Sequence, residues 1–209
     1  IGFSRYRIDP GCQVQASAAI RRVRVFYFEA NHEKDKALPC LIAGLGNPGR
    51  EYRKNRHNIG FMAIDALAET LGVRMMRVQS KAIIGTGTFL EQKIVLAKPQ
   101  TFMNLSGEAV RTLVRFYKVP FERLLVVHDD IDLPAGTLRL RPGGGSGGQK
   151  GIASIIQKTG TQNFPRLRLG VGRPPGQMDA AAYVLQDFSG AEEILVKLML
   201  DRAVKAMQC

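Results

Sequence analysis

The stretch AGLGNPGREYRKNRHN, residues 43–58, decides how the rest of the chain is read. Gly44, Gly46 and Gly49 fit G-x-G-x-x-G, the turn that delivers a dinucleotide pyrophosphate to a helix N-terminus. That fingerprint needs the helix to open within the glycine turn, and an acidic residue closing a second strand about 20 residues later. Here Pro48 and the polar run from Arg50 to Asn58 intervene, so no helix can begin before about Asn58. The position for the acid then falls inside IGFMAIDALAETLG (59–72), whose apolar residues recur at helical spacing. The glycines therefore mark the end of a buried strand, CLIAGLG (40–46), rather than a nucleotide turn. What remains is an amide, Asn47, at a strand end, and His57-Asn58 at a helix start. Strand C-terminal ends are where α/β sheets hold their sites, and an imidazole is a base near neutral pH.

Elsewhere in the chain, AIIGTGTFL (82–90), KIVLAKP (93–99), RLLVVHDD (123–130), TLRLR (137–141) and RLRLGVG (166–172) read as strands. SGEAVRTLVRFYKV (106–119), with Ser106 as a candidate cap, and AEEILVKLMLDRAVKAM (191–207) read as helices. GGGSGGQKG (143–151) reads as a mobile loop leading into the helical IASIIQKTG. Strands and helices interleave. The expectation is a single three-layer α/β/α domain over residues 38–209 with a mixed, mostly parallel sheet, preceded by a basic extension, residues 1–37.

The 209 residues carry a net charge of +12. From Thr137 to Pro175 there are seven basic residues and no acid, where a merely solvated surface would mix the signs. That distribution favours a polyanionic partner, RNA first. No apolar run approaches the roughly 20 residues of a membrane span. Cys12, Cys40 and Cys209 lack metal-ligand spacing and read as free thiols in a reducing compartment. The chain opens on Ile1, as a processed or partial N-terminus would. Residues 1–28 hold five arginines and one acid, Asp9, in the manner of an organelle transit region. This arm is expected either to pack on the domain or to contact a partner.

Two further polar clusters sit at strand ends: KPQTFMNLSG (98–107), with Asn104 before a helix, and VVHDDIDLP (126–134), with Asp129 closing the most apolar strand. Asp129, Asp130 and Asp132 lack companion ligands at a recognisable metal spacing, and no G-x-S-x-G elbow marks a serine nucleophile. Asn47, His57, Asn104 and Asp129 should converge on one face of the sheet.

With NFPRLRLGVGRP (163–174), these segments resemble, in order, the bacterial-type peptidyl-tRNA hydrolase family over roughly residues 40–207. The resemblance implies an esterase that frees tRNA from peptide and needs no metal or organic cofactor. It implies His57 as general base, Asp129 orienting it, and Asn47 and Asn104 holding the peptide and assisting the oxyanion. It implies Tyr52, Asn58 and Met103 as cleft residues, and Arg141 and Arg168 as a pair holding the 5′-phosphate of the acceptor stem. The family loop usually reads G-G-G-H-G-G-H-N-G; here Ser146, Gln149 and Lys150 replace its two histidines and its asparagine. An ammonium at Lys150 would oppose an imidazolium at His57, unless it snorkels outward to phosphate. The basic C-terminal helix usual in the family is expected to be cut short at Cys209. Two readings follow. One is an active, soluble hydrolase of a mitochondrion or chloroplast, with tRNA as partner and ribosomal RNA or ribosomal proteins met through the N-terminal extension. The other is an RNA-binding homologue of reduced activity, associated with the organellar ribosome or akin to the chloroplast group II intron splicing factors related to this family.

Overall fold

The computed structural model describes residues 38–208. The N-terminal extension, Cys12 and Cys209 lie outside the described residues; Cys40 is buried and free. Seven strands form one sheet: β1 (Cys40–Gly44), β2 (Arg77–Gln79), β3 (Ala82–Phe89), β4 (Gln92–Pro99), β5 (Leu124–Asp130), β6 (Leu138–Arg141) and β7 (Arg166–Gly170). Their order is β2-β3-β4-β1-β5-β7-β6. The four central strands pair in parallel and the flanking pairs are antiparallel. β1 and most of β5 are buried, which is why they read as continuous apolar runs without alternation.

Among the described residues, five α-helices accompany the sheet: α1 (Ile59–Thr70), α2 (Ser106–Tyr117), α3 (Lys150–Thr159), the short α4 (Ala180–Val184) and α5 (Gly190–Gln208). Successive strand residues face opposite ways, so the sheet has two cores. On one face Ile42, Leu96, Val127, Leu167 and Leu169 meet Ile64 and Leu67 of α1 and Met199 and Ala203 of α5. On the other, Leu41, Ala43, Val95 and Val126 meet Val110 and Leu113 of α2 and Ile152 and Ile155 of α3. The three layers and the mixed sheet match the reading of the sequence. The sequence pattern missed β2 and α4, each too short to show a period.

The glycine spacing of residues 44–49 has a packing cause. A Cβ on Gly44 would lie 2.2 Å from the carbonyl oxygen of Gly60, and one on Gly60 would lie 2.5 Å from the Leu45 nitrogen. The first turn of α1 therefore presses directly on the end of β1. This contact carries His57, at the turn just before α1, to the mouth of the sheet.

One local expectation is corrected. Ser106 does not cap α2; the helix has no side-chain cap, and the Ser106 hydroxyl donates to the Met103 carbonyl at 2.9 Å. A preceding 3-10 turn, Met103–Leu105, already occupies the entry to the helix. Ser106 is thus the first helical residue and its hydroxyl binds backward.

Candidate active site

The site forms where β1, β4 and β5 end. A 3-10 turn, Arg56–Asn58, holds His57. Its Nδ1 lies 2.8 Å from Oδ2 of Asp129, whose side chain is only 4% exposed. A carboxylate only accepts, so Nδ1 carries the hydrogen and Nε2 the lone pair. Nε2 has no protein hydrogen-bond partner among the described residues, and the ring retains some exposure.

Asn47 and Asn58 lock each other: the Asn47 N–H donates to Asn58 Oδ1 at 2.8 Å, and Asn58 Nδ2 donates to the Asn47 carbonyl at 2.9 Å. Asn47 Oδ1 then accepts from the Met103 N–H at 2.8 Å. The acceptor end of the Asn47 side chain is therefore fixed, and its Nδ2 stays free to donate to a ligand. Asn104, one residue beyond Met103 in the same 3-10 turn, is exposed. Tyr52 is half-buried in the turn that leads from β1 toward His57.

Two groups complete this arrangement: Gln149, marked in the sequence only as a substitution in the glycine-rich loop, and Arg56, to which the sequence pattern gave no role. Gln149 donates from Nε2 to Asp129 Oδ1 at 3.0 Å and accepts at Oε1 from the Ile152 N–H at 2.7 Å, capping α3. The glycine-rich segment thus ends by entering the site. Arg56 donates to both oxygens of Glu192, at 2.9 and 2.7 Å, and to the Asp187 carbonyl at 2.6 Å, with its guanidinium 4.3 Å from the Tyr183 ring centroid. Burial disfavours the Glu192 carboxylate, but the Ser189 N–H and hydroxyl and the Arg56 guanidinium outweigh it and hold its pKa below the usual range. Partners 136 residues away in sequence leave no local signal.

Beside the site runs an arginine face. β6 and β7 pair with Arg139 opposite Arg168 and Arg141 opposite Arg166, so all four arginines lie on one side of the sheet. Arg166 is buried; it donates to the carbonyls of Gly144, Gly145 and Gln162 and lies 4.6 Å from the Phe164 ring centroid. Burial, and then Arg168, lower its pKa to about 10. Arg168 is held by Asp130, while Arg139 and Arg141 are exposed. Of the expected phosphate pair, Arg141 is the open member and Arg168 the one already ion-paired. Lys150, the first residue of α3, is exposed. Asp132 is bound by Arg173 at 2.7 Å.

A histidine–carboxylate dyad with a free Nε2, set with spare amides at the strand ends of an α/β sheet, has the parts of a general-base enzyme. The family model described as peptidyl-tRNA hydrolase matches residues 41–209. A chloroplastic peptidyl-tRNA hydrolase of Arabidopsis thaliana is 55% identical over 157 residues, covering 75% of this chain and 54% of that protein. The chain therefore spans about half the length of that relative. A chloroplastic group IIB intron splicing facilitator of Arabidopsis thaliana is 46% identical over 181 residues, covering 86% of this chain and 75% of that protein. The crystal structure of peptidyl-tRNA hydrolase from Acinetobacter baumannii superposes with a TM-score of 0.76 at 35% identity, covering 81% of this chain and 86% of that one. The chain belongs to the peptidyl-tRNA hydrolase family.

Proposed function

We propose that this chain hydrolyses the ester joining a peptide's C-terminus to the terminal ribose of tRNA, with His57 as general base. The observation that carries this reading is the 2.8 Å contact between His57 Nδ1 and Asp129, which leaves Nε2 as the proton acceptor. Nε2 takes a proton from water as its oxygen adds to the ester carbonyl, and Asp129 stabilises the imidazolium formed. Asn47 Nδ2 and the exposed Asn104 amide donate to the peptide and to the tetrahedral oxyanion. The imidazolium returns its proton to the departing ribose oxygen. Tyr52, Asn58 and Met103 shape the cleft. The chemistry asks for no cofactor.

The arginine face supports an RNA substrate. Like charges directly opposed across two strands repel, and an anion between them removes the penalty. Arg141 and Arg168 are the proposed grip on the acceptor-stem phosphate, with Arg141 the open donor and Lys150 reaching outward to the backbone. The Arg-rich start of the chain and the chloroplastic relatives support work in an organelle. Among the described residues no helix is long and apolar enough to cross a membrane. The basic N-terminal arm is proposed to meet ribosomal RNA or ribosomal proteins.

The likeness to the splicing facilitator favours a second reading, an RNA-binding protein without turnover. Purified protein incubated with peptidyl-tRNA separates the two. Release of free tRNA that His57→Ala abolishes supports the enzyme. Tight tRNA binding with no release, unchanged in His57→Ala, supports the binding protein.

A further inference from the structure

We propose that Gln149 is a positioning residue for the His57–Asp129 dyad, and that through it the glycine-rich segment 143–149 belongs to the site's geometry. The inference rests on the reading of His57 as the base. Asp129 is buried, and a carboxyl group turns easily about its last side-chain torsion, where preferences are broad. The His57 contact fixes one oxygen, and the Gln149 donor at 3.0 Å fixes the other. Together they set the plane of the carboxylate and, through it, the direction of the imidazole.

The Gln149 amide has one workable orientation. Oε1 receives the Ile152 N–H, and the two hydrogens on Nε2 serve Asp129 Oδ1 and Met103 Sδ, the latter at 3.2 Å. Turned over, the amide would set its oxygen against a carboxylate and its NH2 against a backbone donor. The side chain closes a ring. Gln149 joins Asp129 to Met103, Met103 joins Asn47, Asn47 joins Asn58, and Asn58 is bonded in sequence to His57, which returns to Asp129. There is no slack at the start of α3: a Cβ on Gly151 would lie 2.6 Å from Met103 Sδ and 3.0 Å from Gln149 Oε1. Gln149 is neutral, so this support persists across the pH range in which His57 must work.

Two variants separate positioning from helix capping. Gln149→Ser is a favoured N-cap that can receive the Ile152 N–H but is too short to reach Asp129. Gln149→Met fills a similar volume and provides neither bond. With folding checked by circular dichroism and thermal melting, the Ser variant is expected to melt close to wild type. Its kcat on peptidyl-tRNA should still fall about tenfold to a hundredfold, as when an outer partner of a functional histidine is removed, with KM little changed. The Met variant should lose both stability and kcat. A readout independent of turnover is the NMR resonance of the His57 Nδ1 proton, expected sharp in wild type and broadened in Gln149→Ser. Wild-type kcat in the Ser variant, or an unchanged resonance, overturns the proposal. If the wild-type protein releases no tRNA, the proposed reaction fails and the resonance alone decides the role of Gln149.

Discussion

Arg56 clasps both carboxylate oxygens of Glu192 one residue before His57, so the start of the C-terminal helix is fastened to the turn that holds the base. Arg56 is nearly buried and also binds the Gln186 and Asp187 carbonyls. Removing one partner of such a pair leaves an uncompensated charge. Arg56→Met is expected to lower unfolding free energy by about 3 kcal/mol and to reduce kcat, measured by urea denaturation and turnover. Glu192→Gln should cost less, because the Ser189 contacts can persist. Its carboxyl pKa is depressed in the folded state, so its contribution is present above the ordinary value of 4.5 and disappears as pH falls through the folded value. The acid limb of a stability–pH curve should therefore be shallower in Glu192→Gln.

His57→Ala and Asp129→Asn test the dyad. General-base help contributes about a hundredfold to ten-thousandfold, so kcat should fall by that order in His57→Ala. Asp129→Asn can offer an N–H to the imidazole and favour the wrong tautomer, and kcat should fall comparably. Turnover measured over a range of peptidyl-tRNA concentrations separates kcat from KM; a loss confined to KM would place both residues in binding alone.

Arg141 is exposed, while Arg168 on the neighbouring strand is held by Asp130. Arg141→Ala should weaken tRNA binding at low salt and reduce the slope of log affinity against log salt by about one. Fluorescence anisotropy with labelled tRNA at several salt concentrations reads both. Arg168→Ala is expected to lower stability as well, since it strands Asp130.

His128 is buried on β5; its Nδ1 donates to the Asp129 carbonyl at 2.7 Å, and its Nε2 has no hydrogen-bond partner among the described residues. Burial pushes its pKa below the ordinary 6.5, even though Asp129 opposes the shift. The unfolded chain then binds a proton that the folded chain refuses, so stability is full above about pH 6.5 and declines as pH falls toward the folded value. His128→Asn keeps a donor for the Asp129 carbonyl and removes the titration. Its melting temperature should fall less steeply between pH 7 and pH 5 than that of wild type.

Gly44→Ala would drive a methyl group into the Gly60 carbonyl. Overpacking of this kind costs about 3 kcal/mol or less, and here it would also push α1 and His57 off the strand end. Lower stability together with lower kcat, by melting and turnover assays, is the expected outcome.

Local patterning along the chain was enough to specify the layers. Runs such as LLVVHDD and the helical spacing of IGFMAIDALAETLG are local patterns set by how each element buries its apolar side, so strands, helices and the mixed α/β class were legible along the chain. It also put Asn47 and Asp129 at strand ends and His57 and Asn104 at the approaches to helices, and the fold brings His57 onto Asp129 and ties Asn47 to Met103. Other contacts were decided only in three dimensions. Gln149 reads as the end of a glycine loop until α3 delivers it to Asp129, and Arg56 reads as one more surface charge until Glu192 folds against it. Ser106 looked like a cap because the sequence does not show that a 3-10 turn precedes it. Periodicity records which side of an element is buried; it carries no information about which distant polar group will stand opposite, because that pairing is fixed only when the packed layers bring the ends of their elements together.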